Sequence, residues 1–515
     1  MLDRVESPSS DADGSSNRSN DYDVIVIGAG LSGICAASHL ARSRPNDRIL
    51  ILEAREAIGG TWDLFRYPGV RSDSDMFTLG FGFRPWTDGA TLADGPAIRN
   101  YVRETATAYD LDRRIAFQHK VRAADWSSDA ARWSLAVETP EGERTLTANF
   151  VFCCTGYYDY DQGHMPDYPG AETYGGRLVH PQKWPEDLEI EGKRFAVIGS
   201  GATAVTLVPA LADRGAKHVS MVQRTPTYIM TLPKYDRVVK FLQNTLPAMA
   251  AYRLARIKNI LRSVYIFQMA KLLPNAVRKT VKKNAIEELG DKANVEVDFN
   301  PPYDPWDQRF CVAPDGDFFQ AIKRGDADIV TGKIDTFTEG GVRMEDGREV
   351  AADVIISATG LKLKVAGGMK MTVDGEERAL ANTFTYRGAM FSGVPNLGFT
   401  FGYTNASWTL KCEMSVKWMV KLLNHMERAG VDIVLPTPPE GMAEREFLNL
   451  TSGYIQRSKD ILPKQGTDAP WVARQNYFRD YFGFAFGGFA KGLSFGKATV
   501  KPGDTAKDAK ETVAA

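Results

Sequence analysis

A glycine-rich turn near residue 30 is the first stretch of this sequence whose residue types and spacing could bind a ligand. An apolar run, VIVI, is followed at once by Gly28, Gly30 and Gly33 in the spacing GxGxxG. In a strand–turn–helix unit, the first glycine permits the turn, the second lets the backbone approach a pyrophosphate, and the third lets the helix pack on the strand. The next apolar run ends in Glu53, where a carboxylate binds a ribose hydroxyl. The unit predicts a site for FAD or NAD.

A second turn of the same kind follows near residue 200. The sequence FAVIGSGATAV places Gly199, Gly201 and Ala204 in the spacing GxGxxA, and the next apolar run, HVSMV, ends in Gln223 and Arg224 instead of an acid. A neutral residue does not repel a ribose 2′-phosphate, and the arginine can bind it through charge-assisted hydrogen bonds. The turn therefore predicts an NADP(H) site. The alternative is that Arg224 is only a solvated cation at the end of a strand.

Two such turns in one chain, with an acid after the first and an arginine after the second, indicate a flavoprotein that is reduced by NADPH. In such enzymes the cofactors supply the reactive groups and the protein orients them. The predicted fold class is α/β, with two Rossmann-like dinucleotide-binding domains.

The composition agrees with a soluble globular protein of two or three domains. The chain has 515 residues, a formal charge of −1 and 25% charged residues, which gives no reason to expect nucleic acid as a partner. Its five cysteines are odd in number and contain no CxxC, so no disulfide framework, zinc site or other metal centre is predicted. A reducing, cytoplasmic compartment is expected, since the sequence has neither a signal peptide nor a run of about 18 apolar residues.

The stretch between the two turns, GGTWDLFRYPGVRSDSD, makes the class of flavoprotein more specific. It matches the pattern GGxWxxxxYPGxxxD at Gly59, Gly60, Trp62, Tyr67, Pro68, Gly69 and Asp73. This pattern resembles class B flavoprotein monooxygenases, the group that contains Baeyer–Villiger monooxygenases and the flavin-containing N- and S-oxygenating enzymes. The short motifs CTG, at 154–156, and ATG, at 358–360, resemble the crossings between the two domains of that family.

Further motifs narrow the resemblance to the Baeyer–Villiger enzymes. The stretch TYGGRLVHPQKWPED matches their fingerprint FxGxxxHxxxWP, with tyrosine in place of phenylalanine, at Tyr174, Gly176, His180, Trp184 and Pro185. The Trp-Pro ending favours ketone oxidation over N-oxygenation. The stretches FNPPYDPWDQRF, FGYTNASWTLK and GYIQRS resemble the ethionamide-activating subgroup. We interpret His180 as a linker residue that holds the relative position of the two domains; the alternative is a catalytic base.

The resemblance implies which residues contact each cofactor. The FAD contacts would be Gly28, Gly30, Ser32, Gly33, Glu53, Gly60, Thr61, Trp62, Asp63, Leu64, Tyr67, Asp73 and Val121. The NADP contacts would be Arg71, Ser72, Asp73, Gly199, Ser200, Gly201, Ala202, Thr203, Ala204, Arg224 and Thr225.

The mechanism of the family implies two catalytic residues. NADPH reduces FAD, the reduced flavin and dioxygen form a C4a-peroxide, and this attacks a ketone to give an ester or lactone, with sulfoxidation of thioethers as a side activity. Arg309 matches the essential arginine of the family and would stabilise the anions, and Asp73 would hold it through a charge-assisted hydrogen bond. The alternatives are a surface ion pair for Arg309 and a helix cap for Asp73.

Three other functions compete with this one. A flavin-containing N- or S-monooxygenase would share the cofactors but carry a different fingerprint ending. A reductase or oxidase of the pyridine nucleotide–disulfide type would require a CxxC beside the flavin, and the sequence has none. A non-catalytic NADP-sensing protein is the fourth hypothesis.

The domain order of the family implies that the NADP domain is inserted in the FAD domain. The expected ranges are a disordered leader at 1–20, an FAD-binding domain at 21–158 and 355–498, an NADP-binding domain at 159–354 with a helical insert at about 232–297, and a flexible tail at 499–515. Residues 234–283 hold twelve Lys or Arg against one acid, Asp236. One hypothesis is that the insert covers the mouth of the active site. The other is that it forms a basic surface in peripheral contact with an anionic membrane.

Overall fold

Two β-sheets, each built around one of the glycine turns, organise the chain. The computed structural model describes residues 20–448 and 450–500; the predicted leader up to residue 19 and the predicted tail from residue 501 lie outside the described residues. The larger sheet has eleven strands. Eight of them follow one another in the order Glu376–Glu377, Lys370–Val373, Lys120–Ser127, Arg132–Thr139, Gly142–Cys153, Asp21–Ile27, Ile49–Glu53 and Ile115–Phe117. Three more, Leu397–Phe399, Met390–Phe391 and Thr385–Tyr386, branch from the strand Gly142–Cys153.

The second sheet has five strands, all parallel to one another. Their order is Ala327–Thr331, His218–Gln223, Arg194–Ile198, Val354–Ser357 and Arg177–Val179. In both sheets the strand before the glycine turn has the same two neighbours. On one side it pairs with the strand that follows the helix of the turn. On the other side it pairs with the strand that leads into Cys-Thr-Gly or Ala-Thr-Gly. The helices after the two turns are Leu31–Ser43 and Ala202–Ala212. Burial of these strands explains why VIVI and FAVI show no polar alternation, and the predicted α/β class with two Rossmann-like units is confirmed.

The first glycine of each turn is pressed against the backbone of a neighbouring strand. Gly28 has a φ of +106°, and a side chain there would lie 2.6 Å from the carbonyl oxygen of Cys154. Gly199 has a φ of +136°, and a side chain there would lie 2.4 Å from the carbonyl oxygen of Ala358. The positive φ and the lack of space together require glycine at both positions.

The chain passes twice between the sheets, and the two passages lie side by side. The strand Tyr158–Gly163 follows the larger sheet and pairs antiparallel with Leu361–Leu363, on the returning passage. The strand Val354–Ser357 belongs to the five-stranded sheet. The division predicted at residue 355 therefore falls inside a strand, and the strand pairing moves it to just after Ser357.

Helices fill most of the segment expected to form an insert. Arg237–Thr245, Ala248–Leu272, Pro274–Leu289 and Val295–Asp298 lie between two short paired strands, Ile229–Leu232 and Cys311–Pro314. The Asp236 carboxylate caps the first of these helices by accepting hydrogen bonds from the N–H groups of Val238 (2.9 Å) and Val239 (3.2 Å). Within the described ranges, no helix combines the length and the apolar composition needed to cross a membrane.

Smaller elements complete the structure. The other α-helices are Thr61–Leu64, Met76–Leu79, Gly95–Ala108, Asp317–Arg324, Trp408–Ala429, Gly453–Gln456 and Tyr477–Phe486. The strands Ile334–Thr338, Gly341–Met344 and Glu349–Ala351 form a three-stranded sheet, while Ile433–Pro436 pairs with Leu493–Gly496 and Arg445–Glu446 pairs with Lys464–Gln465. Short 3₁₀ turns cover Asp112–Arg114, Ala171–Thr173, Pro181–Lys183, Val365–Gly368, Leu380–Asn382 and Lys459–Ile461.

A buried carboxylate, Glu413, fastens the insert to the part of the chain around the first sheet. Its Oε2 atom accepts hydrogen bonds from the Gly82 N–H (2.9 Å) and from Arg256 of the insert (3.3 Å), and its Oε1 atom pairs with Lys417 (2.6 Å). Burial raises the pKa of Glu413, but His39, Lys417 and Arg256 outweigh it and hold the pKa well below the usual range. The carboxylate is therefore ionised and shared by two parts of the fold.

We expect Glu413→Ala to lower the free energy of unfolding by about 3 to 5 kcal/mol at neutral pH, because Arg256 would remain buried without its carboxylate. Chemical denaturation of the FAD-loaded protein measures this. Since the pKa of Glu413 is depressed in the fold, its contribution is complete above the ordinary pKa of a glutamate and is lost as the pH falls below that value. Glu427, 70% exposed in its pair with Arg44, provides the control, and Glu427→Ala should cost less than about 1 kcal/mol. Equal losses in the two variants would contradict the anchoring role.

Candidate active site

A cavity of about 980 Å³ lies where the second glycine turn and the ends of the five-stranded sheet meet the helical insert and the segments at residues 404–407 and 451–457. Its walls bring together side chains that are far apart in the sequence, among them Asp73, Gly199, Ser200, Gly201, Ala202, Thr203, Arg224, Thr225, Arg262, Arg309 and Tyr454. The volume suits a small organic molecule next to part of a cofactor. Both predicted catalytic residues and most of the predicted NADP contacts therefore share one space.

Arg309 reaches this cavity from the loop before the strand Cys311–Pro314. Its guanidinium lies deep in the molecule and faces the cavity beside the hydroxyls of Tyr157, Tyr158 and Tyr454. Burial by itself lowers the pKa of Arg309, but Tyr157, Tyr454 and Tyr158 raise it above its ordinary value, so the cation is permanent. No carboxylate among the described residues forms an ion pair with Arg309, which excludes the surface ion pair.

Asp73 lies on the wall of the same cavity without direct contact to Arg309. Its carboxylate accepts a hydrogen bond from the Val312 N–H. Burial raises the pKa of Asp73 to about 6, although Arg71 and Arg309 act in the opposite direction. The expected charge-assisted hydrogen bond between Asp73 and Arg309 does not form between the described residues, and the groups beside the guanidinium are tyrosines. Asp75, not Asp73, caps the helix that follows.

The second glycine turn forms one wall of the cavity. A side chain at Gly201 would meet no atom within 4 Å, so the turn leaves room for a pyrophosphate at the start of the helix Ala202–Ala212. The Ser200 hydroxyl donates to the Thr225 carbonyl oxygen (2.7 Å) and ties the turn to the end of the next strand. Ala204 is fully buried, as expected for the third small residue of the motif. These features fit NADP(H).

Arg224 and Lys333 extend this wall at the carboxyl ends of two paired strands. The strands are His218–Gln223 and Ala327–Thr331, and both cations line the cavity. The Gln223 amide is buried and donates to a backbone carbonyl at 2.9 Å, which leaves the phosphate role to the cations. Lys333 is missing from the predicted NADP contacts because no sequence motif includes it. Its position beside Arg224 results from the pairing of the two strands.

Besides the buried Ala204, two predicted NADP contacts, Arg71 and Ser72, do not line the cavity. Arg71 forms an ion pair with Asp317 and donates to the Val312 carbonyl oxygen (3.2 Å). The Ser72 hydroxyl donates to the Ser74 carbonyl oxygen (2.9 Å). Both side chains are engaged within the protein, so this geometry does not support their assignment to NADP.

The first glycine turn has the backbone geometry that FAD requires. A side chain at Gly33 would come within 1.8 Å of the Gly28 carbonyl oxygen, so the helix packs directly on the turn. The Glu53 carboxylate accepts a hydrogen bond from the Ala29 N–H (2.7 Å), and this contact places an acid beside the turn, where a ribose hydroxyl binds. Burial raises the pKa of Glu53, while the N–H groups of Ala29 and Arg55 oppose the shift. These residues fit the dinucleotide part of FAD.

Aromatic residues outside the predicted set cover this turn. The Trp408 indole N–H donates to the Ser32 hydroxyl (2.9 Å), and its ring stacks on Tyr157 with centroids 5.2 Å apart. The Tyr160 hydroxyl lies 3.2 Å from the Thr61 hydroxyl. The motifs CTGYY and FGYTNASW contain Tyr157 and Trp408, but the sequence pattern alone does not show that these rings meet at the first turn.

The other predicted FAD contacts lie on the segment that links the two turns or in the core. Asp63 is buried, and its carboxylate pairs with Arg55 (2.5 Å), Arg66 (2.6 Å) and Arg99 (3.2 Å). We infer that Asp63 holds these cations beside the turn instead of contacting FAD itself. The Tyr67 hydroxyl bonds to Thr203 of the second turn. The remaining positions are Gly60, which lies against Gly30, the half-buried Trp62 and the buried Leu64 and Val121.

His180 does not line the cavity, and its two ring nitrogens are engaged within the fold. The Nδ1 atom accepts a hydrogen bond from the Gln182 N–H (3.2 Å), so Nε2 carries the proton and donates to the Gly360 carbonyl oxygen (3.2 Å). Burial lowers the pKa of His180, which favours the neutral ring. The histidine therefore joins the fingerprint to the Ala-Thr-Gly passage, and this supports the linker interpretation over the catalytic base.

The other fingerprint residues also have packing roles. The Tyr174 hydroxyl, absent from the phenylalanine of the general pattern, donates to the Ala352 carbonyl oxygen (3.1 Å). A side chain at Gly176 would lie 2.3 Å from that hydroxyl. Trp184 packs on the core of the five-stranded sheet, and Pro185 is half-buried beside it.

Comparison with known proteins agrees with the site. Residues 90–366 match the model of flavin-binding monooxygenase-like proteins, and residues 26–94 match that of the NAD(P)-binding Rossmann-like domain. The chain is 49% identical over 459 residues to the FAD-containing monooxygenase EthA of Mycobacterium tuberculosis (strain ATCC 25618 / H37Rv), covering 89% of this chain and 94% of that protein. It is 44% identical over 461 residues to the probable FAD-binding monooxygenase AlmA of Acinetobacter baylyi, covering 89% and 92% of the two chains.

Solved structures with a similar fold include two monooxygenases. An oxidized steroid monooxygenase bound to NADP has a TM-score of 0.74 at 21% identity, covering 93% of this chain and 100% of that chain. Cyclohexanone monooxygenase from Rhodococcus sp. Phi1 bound to NADP+ has a TM-score of 0.71 at 22% identity, with the same coverage. The resemblance found in the motifs is thereby confirmed. The chain belongs to the flavin-binding monooxygenase-like family, and it is an oxidoreductase with FAD and NADP(H) as cofactors, as the two glycine turns predict.

Proposed function

We propose that this monooxygenase performs Baeyer–Villiger oxidation of small ketones, with sulfoxidation of thioethers as a side activity. The ketone, dioxygen, NADPH and a proton give an ester or lactone, water and NADP⁺. Bound FAD supplies the activation of dioxygen with electrons from NADPH. The observation that supports this reaction most is Arg309, a permanent cation that faces the cavity among tyrosines and pairs with no carboxylate of the described residues.

A guanidinium without a paired carboxylate suits a reaction that develops negative charge on oxygen. Addition of a nucleophilic oxygen to a ketone turns the carbonyl oxygen into an anion. A fixed cation in a site with little water stabilises that anion by several kcal/mol, since its orientation exists before the reaction. Tyr157, Tyr158 and Tyr454 surround the guanidinium, and Asp73 lies too far from Arg309 to cancel its field by direct pairing.

Two cations beside the second turn support selectivity for NADPH over NADH. Arg224 and Lys333 both line the cavity and carry charge that complements a 2′-phosphate. Glu345 also lines the cavity and pairs with Lys333 at 3.9 Å, whereas Arg224 has no carboxylate partner among the described residues and is the stronger candidate for the phosphate.

The helical insert would serve as a lid over the reaction site. Arg262, Ser263 and Ile266 of the helix Ala248–Leu272 line the cavity. A lid of this kind limits the access of water to the reacting groups and strengthens the field of Arg309.

Two further points follow from the site. N- or S-oxygenation is the alternative reaction, because the family match covers both chemistries. Arg309 favours oxidation of the ketone, and identifying the products from a ketone and a thioether would separate the two reactions.

We also infer a reducing, cytoplasmic setting. All five cysteines are buried and unpaired, whereas proteins of oxidising compartments usually pair them.

Arg309→Ala should keep the reduction of bound FAD by NADPH but lower ester formation by about 100-fold or more, because the anionic oxygen loses its stabilising charge. Anaerobic stopped-flow absorbance follows the first step, and mass spectrometry of the products from a cyclic ketone follows the second. Arg324, paired with Asp213 (2.8 Å) and Asp326 (2.7 Å) at the surface, gives the control, and Arg324→Ala should leave both steps intact. Ester formation near the wild-type rate in Arg309→Ala would refute the role given to this arginine.

Arg224→Ala and Lys333→Ala should each raise the KM for NADPH about tenfold and change the KM for NADH less than about twofold, since only NADPH carries the phosphate that they bind. Steady-state rates with both cofactors test this. The exposed Lys323 serves as the control, and its alanine variant should change neither KM. A similar rise for both cofactors in Lys333→Ala would show that this lysine does not recognise the phosphate.

Asp73→Asn should raise the free energy of unfolding at neutral pH by about 1 to 3 kcal/mol while impairing turnover. The pKa of Asp73 is raised from its ordinary value to about 6, so the folded protein binds this proton more readily than the unfolded chain. The ionised carboxyl therefore costs stability above pH 6, and the advantage of the asparagine shrinks as the pH falls from about 6 towards about 4. Urea denaturation across this range checks the sign; a gain that does not depend on pH would contradict it.

A further inference from the structure

Exposed apolar side chains of the described residues are concentrated in two segments. Eighteen large hydrophobic residues are exposed, of which ten lie between residues 235 and 273 and three between 481 and 486. Exposed apolar residues that occur singly need no explanation, whereas a cluster of this kind marks an interaction surface. The lid function accounts for the cavity side of the insert and leaves this outer side unexplained.

The insert helix Ala248–Leu272 presents one continuous apolar stripe to the outside. Its members are Leu254, Ile257, Leu261, Tyr265 and Leu272, spaced by three, four, four and seven residues and between 47% and 71% exposed. An α-helix has 3.6 residues per turn, so this spacing keeps all five on one face. By the same geometry, Arg253 and Lys271 flank the stripe on one side, and Lys258 and Arg262 flank it on the other.

The helix that ends at Phe486 continues this surface with aromatic rings. Tyr477 packs against the cluster that contains Ile260 of the insert. Tyr481 stacks on Tyr477 with centroids 6.2 Å apart, and Phe482 stacks on Phe486 at 6.1 Å. Phe482 and Phe486 are 56% and 80% exposed. The five stripe residues and these three exposed rings, Tyr481, Phe482 and Phe486, are called the apolar face below.

Residues around the apolar face carry an excess of positive charge, although Lys271, which flanks the stripe, pairs with Asp307 at 2.9 Å. Residues 234–283 contain twelve Lys or Arg and the single acid Asp236, although the whole chain has a formal charge of −1. The Asp236 carboxylate pairs with Lys258 and accepts hydrogen bonds from the N–H groups of the helix that it caps. Arg253, Lys240 and Lys279 have no carboxylate partner among the described residues. The surface therefore combines exposed apolar side chains with an excess of cations.

We propose that the apolar face docks on the surface of an anionic lipid bilayer. The phosphates of the headgroups would pair with the flanking cations while the leucines, isoleucine and aromatic rings enter the boundary of the acyl chains. A second copy of this chain is a poorer occupant, because a two-fold interface would bring the cations of both copies together. Nucleic acid is a poorer occupant as well, since phosphate backbones are contacted by cations and polar groups rather than by a central apolar stripe.

This docking does not depend on the reaction proposed above. The stripe residues do not line the cavity, whereas Arg262 of the same helix does. One helix would thus contact the bilayer on one side and the substrate space on another.

The test is co-sedimentation of the FAD-loaded full chain with vesicles of phosphatidylcholine alone or with about a third phosphatidylglycerol. We expect binding to the anionic vesicles that weakens as the salt concentration rises from about 0.05 to about 0.5 M. The double variant Ile257→Glu/Leu261→Glu should lower the partition coefficient about tenfold or more, since two charged groups would replace the inserted ones. Phe117→Glu, at an exposed position on the strand Ile115–Phe117 of the larger sheet, is the matched control and should bind like the wild type.

Flavin absorbance and NADPH consumption without vesicles show that each variant is folded, and they report on the proposed reaction separately from lipid binding. The lipid assignment is wrong if the wild type stays in the supernatant with anionic vesicles at low salt, or if the double variant sediments equally well. Mass photometry gives the third outcome. If the wild type is a dimer and the double variant is a monomer, a second copy of the chain covers the apolar face, and the proposal is overturned.

Discussion

The structure depends on two close backbone contacts, each between a glycine and a carbonyl oxygen of a neighbouring strand. Gly28 lies against the carbonyl oxygen of Cys154, and Gly199 lies against that of Ala358. Each contact lets a strand end directly beside a glycine turn, so the chain leaves one sheet and enters the other next to a nucleotide site. Since both passages start from such contacts, they run side by side as the pair Tyr158–Gly163 and Leu361–Leu363. Larger side chains at either glycine would separate the turns from the passages that connect them.

The passages, in turn, position the groups around Arg309. Tyr157 follows the Cys-Thr-Gly motif directly and lies beside the guanidinium, and its ring stacks on Trp408 over the first turn. His180 bonds to Gly360 on the returning passage. One stretch of backbone thus connects the first glycine turn, the Arg309 cation and the fingerprint. This connection gives the fingerprint a structural meaning without assigning it a proton-transfer step.

The helical insert joins this framework through buried polar contacts. Arg256 donates to the carbonyl oxygens of Phe77 (2.9 Å) and Gly80 (2.7 Å) as well as to Glu413, and the buried Asn259 amide donates to Asp75 (2.8 Å). Buried polar groups stabilise only where their partners are in place, so these contacts fix one position of the helix. These contacts fix one side of the helix Ala248–Leu272. A second side of this helix faces the cavity, and a third side is exposed.

Much of the site was accessible from the sequence, because its signals are short-range. Glycine spacing, apolar runs and the residue after the second strand report local strand–turn–helix geometry, and the motif around Arg309 marks its chemistry through resemblance. Contacts between distant segments were not accessible. The absence of a direct Asp73–Arg309 bond, the use of Arg71 by Asp317 and the place of Lys333 beside Arg224 all follow from how strands pair and how loops pack. The sequence by itself determined the two dinucleotide turns, their cofactors and the family, since each depends on residues within a few turns of chain. Only the tertiary structure decided which side chains face one cavity, because that choice is made by contacts between segments hundreds of residues apart.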